Sequence, residues 1–154
     1  AGESGAGRIA LAQLPPGMAE RLCAAARERS IDVLAPPYLG PDVPRTIDTA
    51  AIGVTGISFA IAQSGTLVEV VTEDSARLVS ALPRTHIAVF PADQVVPDLV
   101  GAADRMRQIF ADHSRGVAVS FISGPSRTGD IEMILTLGVH GPETAHAIAV
   151  REGL

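Results

Sequence analysis

The sequence has no lysine, no tryptophan, one tyrosine, four phenylalanines and one cysteine among 154 residues. Each shortage excludes something. With aromatics at 3%, a core must be built from Ala, Val, Ile and Leu, and stacking platforms for nucleic-acid bases are lacking. All twelve basic residues are arginine, the formal net charge is −5, and no basic stripe runs along the chain, so a nucleic-acid partner is disfavoured. Cys23 by itself can form neither an internal disulfide nor an iron–sulfur centre, which needs several thiolates. In "MAERLCAAARER" it reads as a small buried hydrophobe. No apolar run is long enough to span a membrane, and "AGESGAG" lacks the charged-then-apolar order of a secretory leader, so a cytoplasmic location is the expectation. The chain has no H-E-x-x-H and no Cys/His cluster, so no metal site is expected. It has no G-x-S-x-G elbow, no G-x-G-x-x-G and no G-K-[ST].

What remains is 47% apolar and long enough to bury a core without staples. One domain over 1–154 is expected, with 1–7 frayed. "RIALAQLP" from Arg8 reads as a strand, Met18 to Arg29 as a helix with Leu22, Ala25 and Ala26 on one face, and "IDVLAP" as a second strand. This β-α-β opening favours a parallel pair. Ile57 to Ala62 and Thr66 to Thr72 flank a turn at "QSG", the signature of a hairpin. Asp74 or Ser75 can cap a helix ended by Pro83. His86 to Phe90 is a strand, and Asp98 to His113 a helix with Leu99, Ala102, Ala103, Met106 and Ile109 as its stripe. Strands at Val117 to Ile122 and Ala145 to Val150 follow. The class is α/β: a mostly parallel open sheet with an inserted antiparallel hairpin.

The densest polar stretch is "SGPSRTGDIEMILTLGVHGP", from Ser123 to Pro142. It follows a strand end, where open α/β sheets bind ligands. Gly124 and Gly129 permit close backbone approach. Ser123, Ser126 and Thr128 supply hydroxyls, and Arg127 a planar fork suited to carboxylate or phosphate. If Thr128 or Asp130 caps a helix through "DIEMILTLG", its free amides favour an anion. The alternative is a loop whose hydroxyls cap that helix while Arg127 pairs with Asp130 or Glu132. Amides and hydroxyls at Ser64, Gly65 and Thr66 form a second anion-binding possibility. Of the four histidines, His86 opens a strand and His113 ends a helix as a solvated cation. His140, between two glycines, can serve as general base or structural hydrogen-bonding group. Glu69 sits among valines and points with Leu67 and Val71. It reads as an outward residue on an exposed hairpin face, the alternative being burial with a raised pKa.

"GVTGISFAIAQSGTLVEVVTEDSARLVSALPRTHIAVFPADQVVP" and "SFISGPSRTGDIEMILTLGVHGPETAHAIAV" together resemble the lactate-utilisation protein C family, with its lactate-utilisation (LUD) domain, from about Gly53 to Val150. That resemblance implies a three-layer fold similar to ribose-phosphate isomerases, glucosamine-phosphate deaminases and coenzyme A transferases. It also implies a part in oxidising L-lactate to pyruvate alongside iron–sulfur proteins. With Cys23 alone, this chain resembles the member without clusters, and no cofactor of its own is expected. Gln63 stands where the family commonly has Glu, Gly129 where it has Ala, and the family's N-terminal helical region is shortened or absent.

Two functions are therefore expected to compete. One is a non-redox subunit or accessory protein of an L-lactate oxidation system that binds a small carboxylate or phosphate and associates with its iron–sulfur proteins. The other is a free-standing isomerase- or transferase-type enzyme acting on a sugar phosphate or acyl-coenzyme A. In it Glu132 or His140 would be the catalytic base, and Arg127 would hold the anion. A ligand-sensing regulatory module is the third possibility.

Overall fold

The computed structural model describes residues 7–112, 117–128 and 136–151, without the side chains of Asp74, Thr128 and Thr136. Five strands form a wholly parallel sheet: β1 (Arg8–Ala12), β2 (Asp32–Leu34), β3 (Ile52–Gly56), β6 (Thr85–Pro91) and β11 (Thr144–Val150), in the order β11-β6-β3-β1-β2. Four more form a mixed sheet: β4 (Phe59–Ile61), β5 (Thr66–Val71), β7 (Val95–Val96) and β8 (Ala118–Ile122), in the order β7-β4-β5-β8. The short strands β9 (Arg127–Thr128) and β10 (Thr136–Leu137) make an antiparallel ribbon.

The helices are α1 (Met18–Glu28), α2 (Val43–Asp48), α3 (Asp74–Ala81) and α4 (Leu99–Asp112). Alternation along β1 explains their placement. Ile9 and Leu11 point to one face, where they meet Met18, Leu22 and Cys23 of α1. Ala10 and Ala12 point to the other, where they meet Ile47 of α2 and Ala76 and Val79 of α3. The alanines matter because they let α3 come close. Gly53 takes this furthest, since a Cβ there would lie 1.9 Å from the carbonyl oxygen of Val79. The mixed sheet stacks on the same inner face, with Leu67, Ala60 and Ile57 against Ala88 and Phe90 of β6. Its far side carries α4 through Ala102, Met106 and Ile109, packed on Phe59, Ile61 and Val68.

The mostly parallel α/β sheet stands as expected, and the hairpin is β4–β5. It is the centre of a second sheet rather than an insertion in the first, because the chain changes sheets at Ile57 and Ser58, between β3 and β4. The strand at β3 and the short helix α2 are additions to the expected elements. On α4 the stripe is narrower than expected: Leu99 is 64% exposed, and Ala103 faces outward. Helix α3 starts at Asp74, so the N-cap position is Glu73, whose side chain makes no capping bond. The helix expected through "DIEMILTLG" does not hold at its end, where Thr136 and Leu137 pair as strand with Thr128 and Arg127. Among the described residues no helix is long and apolar enough to cross a membrane.

Candidate functional site

The turn after β4 and the end of β8 are brought together by register. Leu67 pairs with Ile122, so the next positions along, Thr66 and Ser123, also face each other. Their hydroxyls lie 2.9 Å apart, and Ser64 extends the chain at 2.7 Å from Thr66. Gly65 turns the hairpin at φ +63°, the left-handed region where a side chain is strained. Beyond Ser123, Gly124 redirects the chain and Ser126 ties it to the segment before β11. Its N–H donates to Pro142 O at 2.8 Å, its carbonyl accepts from Gly138 N–H at 3.2 Å, and its Oγ accepts from His140 N–H at 3.1 Å.

These connections close a cleft of about 570 Å³ between α3, β8 and the 138–142 segment. Ser123, Gly124, Ser126, Arg127 and His140 all line it, together with Arg77, Ser80 and Ser120. Five of the expected site residues therefore share one wall. Ser64, Gly65 and Thr66 do not line it and reach it only through the Thr66–Ser123 hydroxyl contact. Thr66 is buried, while Ser64 and Gly65 are exposed. Glu132, Asp130, Gly129 and His113 lie outside the described residues, as does the Thr128 side chain. The cleft follows the carboxyl end of β8, but it sits beside the amino ends of β6 and β11, where Glu143 N–H donates to Arg84 O at 2.9 Å. The carboxyl ends of β1 and β2 carry a smaller cleft of about 200 Å³, lined by Gln13, Tyr38 and Ser75 among others.

Behind the cleft lies a buried polar layer that sequence reasoning did not assemble. Glu69 is fully buried rather than outward, because β5 is covered on both faces. Leu67 and Val71, on its own face, pack against β6 and α3. That shared face was the available signal: a carboxylate whose i±2 neighbours are both apolar points where they point. Ser80 Oγ donates to Glu69 Oε2 at 2.8 Å and lies 3.0 Å from Arg77 O. Glu69 Oε1 has no partner among the described residues. Burial pushes the carboxyl pKa up to about 7, against the opposing pull of the Ser80 hydrogen bond and the Arg77 charge. Because Ser80 also lines the cleft, one hydroxyl separates the buried carboxyl from the cleft.

His86 is buried equally deeply. Its Nε2 lies 2.8 Å from Thr55 Oγ1, Nδ1 has no partner among the described residues, and burial lowers its pKa to about 4. It is a neutral imidazole near pH 7. Among the described residues, no group of three or more His, Cys, Asp or Glu could hold a metal ion. The opening is lined by two arginines and four serines, with the buried Glu69 carboxyl behind Ser80.

Residues 23–150 match the LUD domain family. The chain belongs to the LUD domain family. Similar proteins include lactate utilization protein C of Bacillus subtilis, 41% identical over 109 residues, which are 68% of this chain and 44% of that protein. The lactate utilization protein C of Shouchella clausii is 40% identical over 112 residues, 71% of this chain and 49% of that one. This LUD chain thus spans about half the length of these curated relatives. Among solved structures, a DUF162-family protein of Deinococcus radiodurans matches it with a TM-score of 0.50 and 24% identity, over 95% of this chain and 88% of that one, a likeness of fold.

Proposed function

We propose that this LUD domain serves lactate utilization by holding a small organic anion in the cleft at Arg127. The relatives' names supply the process, and the cleft supplies the chemistry. The observation that carries the reading is that Arg127 lines one opening together with Ser80, Ser120, Ser123 and Ser126. A guanidinium fork matches a carboxylate in two parallel hydrogen bonds, and hydroxyls suit the neighbouring oxygen of a 2-hydroxy or 2-oxo acid. In this reading electron transfer belongs to iron–sulfur partners, which need several thiolates, and this chain, with a single cysteine in its sequence, binds or positions the anion.

The placement of His140 on the same cleft favours a second reading, an isomerase- or transferase-type enzyme in which the imidazole moves a proton. One pair of measurements separates the two. Purified chain is titrated with L-lactate and pyruvate by calorimetry. Extracts of cells lacking the chain are then assayed for lactate-dependent dye reduction, with wild-type protein or Arg127→Ala added back. Binding weakened about tenfold by Arg127→Ala, the loss expected for one charged hydrogen bond, together with restored reduction by wild type only, supports the anion-holding role. Restoration by both proteins removes the cleft from the function. No effect of deletion removes lactate utilization, and turnover of a sugar phosphate or acyl-coenzyme A by the purified chain, lost in His140→Ala, would establish the enzyme.

A further inference from the structure

The two edges of the parallel sheet are built differently. The β2 edge is three residues long, carries Asp32 in an ion pair with Arg8 at 2.6 Å, and runs into Pro36 and Pro37. Shortness, charge and proline are the usual protections of a sheet edge. The β11 edge has none of them. It pairs with β6 through seven consecutive residues without a bulge and contains no charged residue and no proline. Ile148 is 48% exposed, and Ala147 and Ala149 also face solvent. Thr144 N–H donates to Arg84 O, on the β6 side. In a strand the N–H and C=O of one residue point the same way and alternate along the chain. Ala145, Ala147 and Ala149 therefore aim both groups at the edge, where no other strand pairs among the described residues.

We infer that β11 pairs antiparallel with β11 of a second copy, about a two-fold axis at Ala147, joining two five-stranded sheets into one. The occupant follows from the strand's self-complementarity. Antiparallel pairing centred on Ala147 sets Ala145 opposite Ala149 and Thr144 opposite Val150, so small side chains meet small ones at the outward-bonding positions. It also sets Glu143 of each copy opposite Arg151 of the other, because both lie four residues from Ala147. The two charges are opposite, and each is used twice, as an isologous interface requires. Glu143 already holds Arg84 at 2.5 Å, so Arg151 of the second copy adds a second guanidinium to that carboxylate. The pairing satisfies the outward N–H and C=O of three alanines on each strand. It also continues the partly exposed strip formed by Ile148 and Val150 on the α1 side of the sheet.

The test is mass in solution by light scattering across a dilution series, with variants that read the register. Wild type is expected to be a dimer. Ala147→Pro removes an outward N–H that makes no bond among the described residues, so it should give a folded monomer. Arg151→Glu and Glu143→Arg should each weaken self-association about tenfold or more. Mixed together they should form a heterodimer, since both contacts become complementary again. In a Cys23→Ser background, Ala147→Cys should be joined by a short bis-maleimide, which adds one thiol at each end, and Ala145→Cys should not. In this register two copies of residue 145 stand about four residues, or roughly 14 Å, apart. The cysteine pair keeps the test decisive if Glu143→Arg folds poorly through loss of Arg84. A wild-type monomer at every concentration overturns the inference. So does a dimer indifferent to Ala147→Pro, or one that cross-links equally through positions 145 and 147.

Discussion

Arg127 on the cleft wall and Glu69 behind it stand in opposite environments. Arg127 stands exposed at that wall, on a short ribbon held by a few backbone hydrogen bonds. Glu69 lies behind it with no solvent contact, one oxygen bonded to Ser80 and the other unpartnered. In water an arginine keeps its charge and can be replaced at little cost to the fold. A carboxyl between two sheets has its ionisation set by burial, so that its protonation is coupled to folding. The proposed anion site thus rests on the exposed wall, while the layer behind it couples its protonation to folding.

The strongest way to break this contrast is to push α3 off the sheet. Gly53→Ala places a methyl group against the Val79 carbonyl, and α3 carries Ser80. A loss of about 3 kcal/mol or more is expected in thermal or urea unfolding, at the upper end of overpacking effects.

The contrast sharpens with pH. Glu69 has a folded pKa near 7 against 4.5 for the free group, so the folded state holds the extra proton and stability falls as pH rises across that window. His86 has a folded pKa near 4 against 6.5. Here the unfolded state holds the extra proton, and stability falls as pH drops from 6.5 toward 4. Each shift corresponds to about 3 kcal/mol, and each slope to at most about 1.4 kcal/mol per pH unit. Between pH 4.5 and 6.5 the two slopes oppose each other. Glu69→Gln should therefore leave a protein that gains stability from pH 4 to 6.5, while His86→Gln should leave one that loses it from pH 4.5 to 7. Urea titrations at stepped pH would show the two slopes with opposite signs. Parallel slopes would place the buried charges elsewhere.

The smallest effect belongs to the wall. Arg127→Ala should change unfolding free energy by less than about 0.5 kcal/mol, as exposed substitutions do, while its anion binding falls. A large stability loss would make Arg127 a structural residue and weaken the proposed site.

Much of this was legible in the chain. The short apolar runs at β1 and β5, the "QSG" turn and the Pro83 stop gave strands, hairpin and helix their places. Clustered hydroxyls around Arg127 marked the cleft wall, because such residues concentrate where backbone must turn and bond locally. Glu69 shows the limit. Alternation placed it with Leu67 and Val71, but whether that face was covered depended on the other sheet. A second sheet is a long-range event, decided at Ile57 and Ser58, where nothing in local propensity distinguishes one extended segment continuing from two that part.

By itself the sequence determined the α/β class, the parallel β-α-β opening, the arginine-and-hydroxyl wall and, through long ordered motifs, the LUD family. These depend on local periodicity, turn chemistry and residue type, which one chain carries openly. Only the tertiary structure decided that Ser80 meets Glu69, that Thr55 meets His86, and that β11 and β2 lie outermost among the described strands of the parallel sheet. Those facts depend on which faces stack and which strands lie outermost, and stacking is set by packing between residues far apart in the chain.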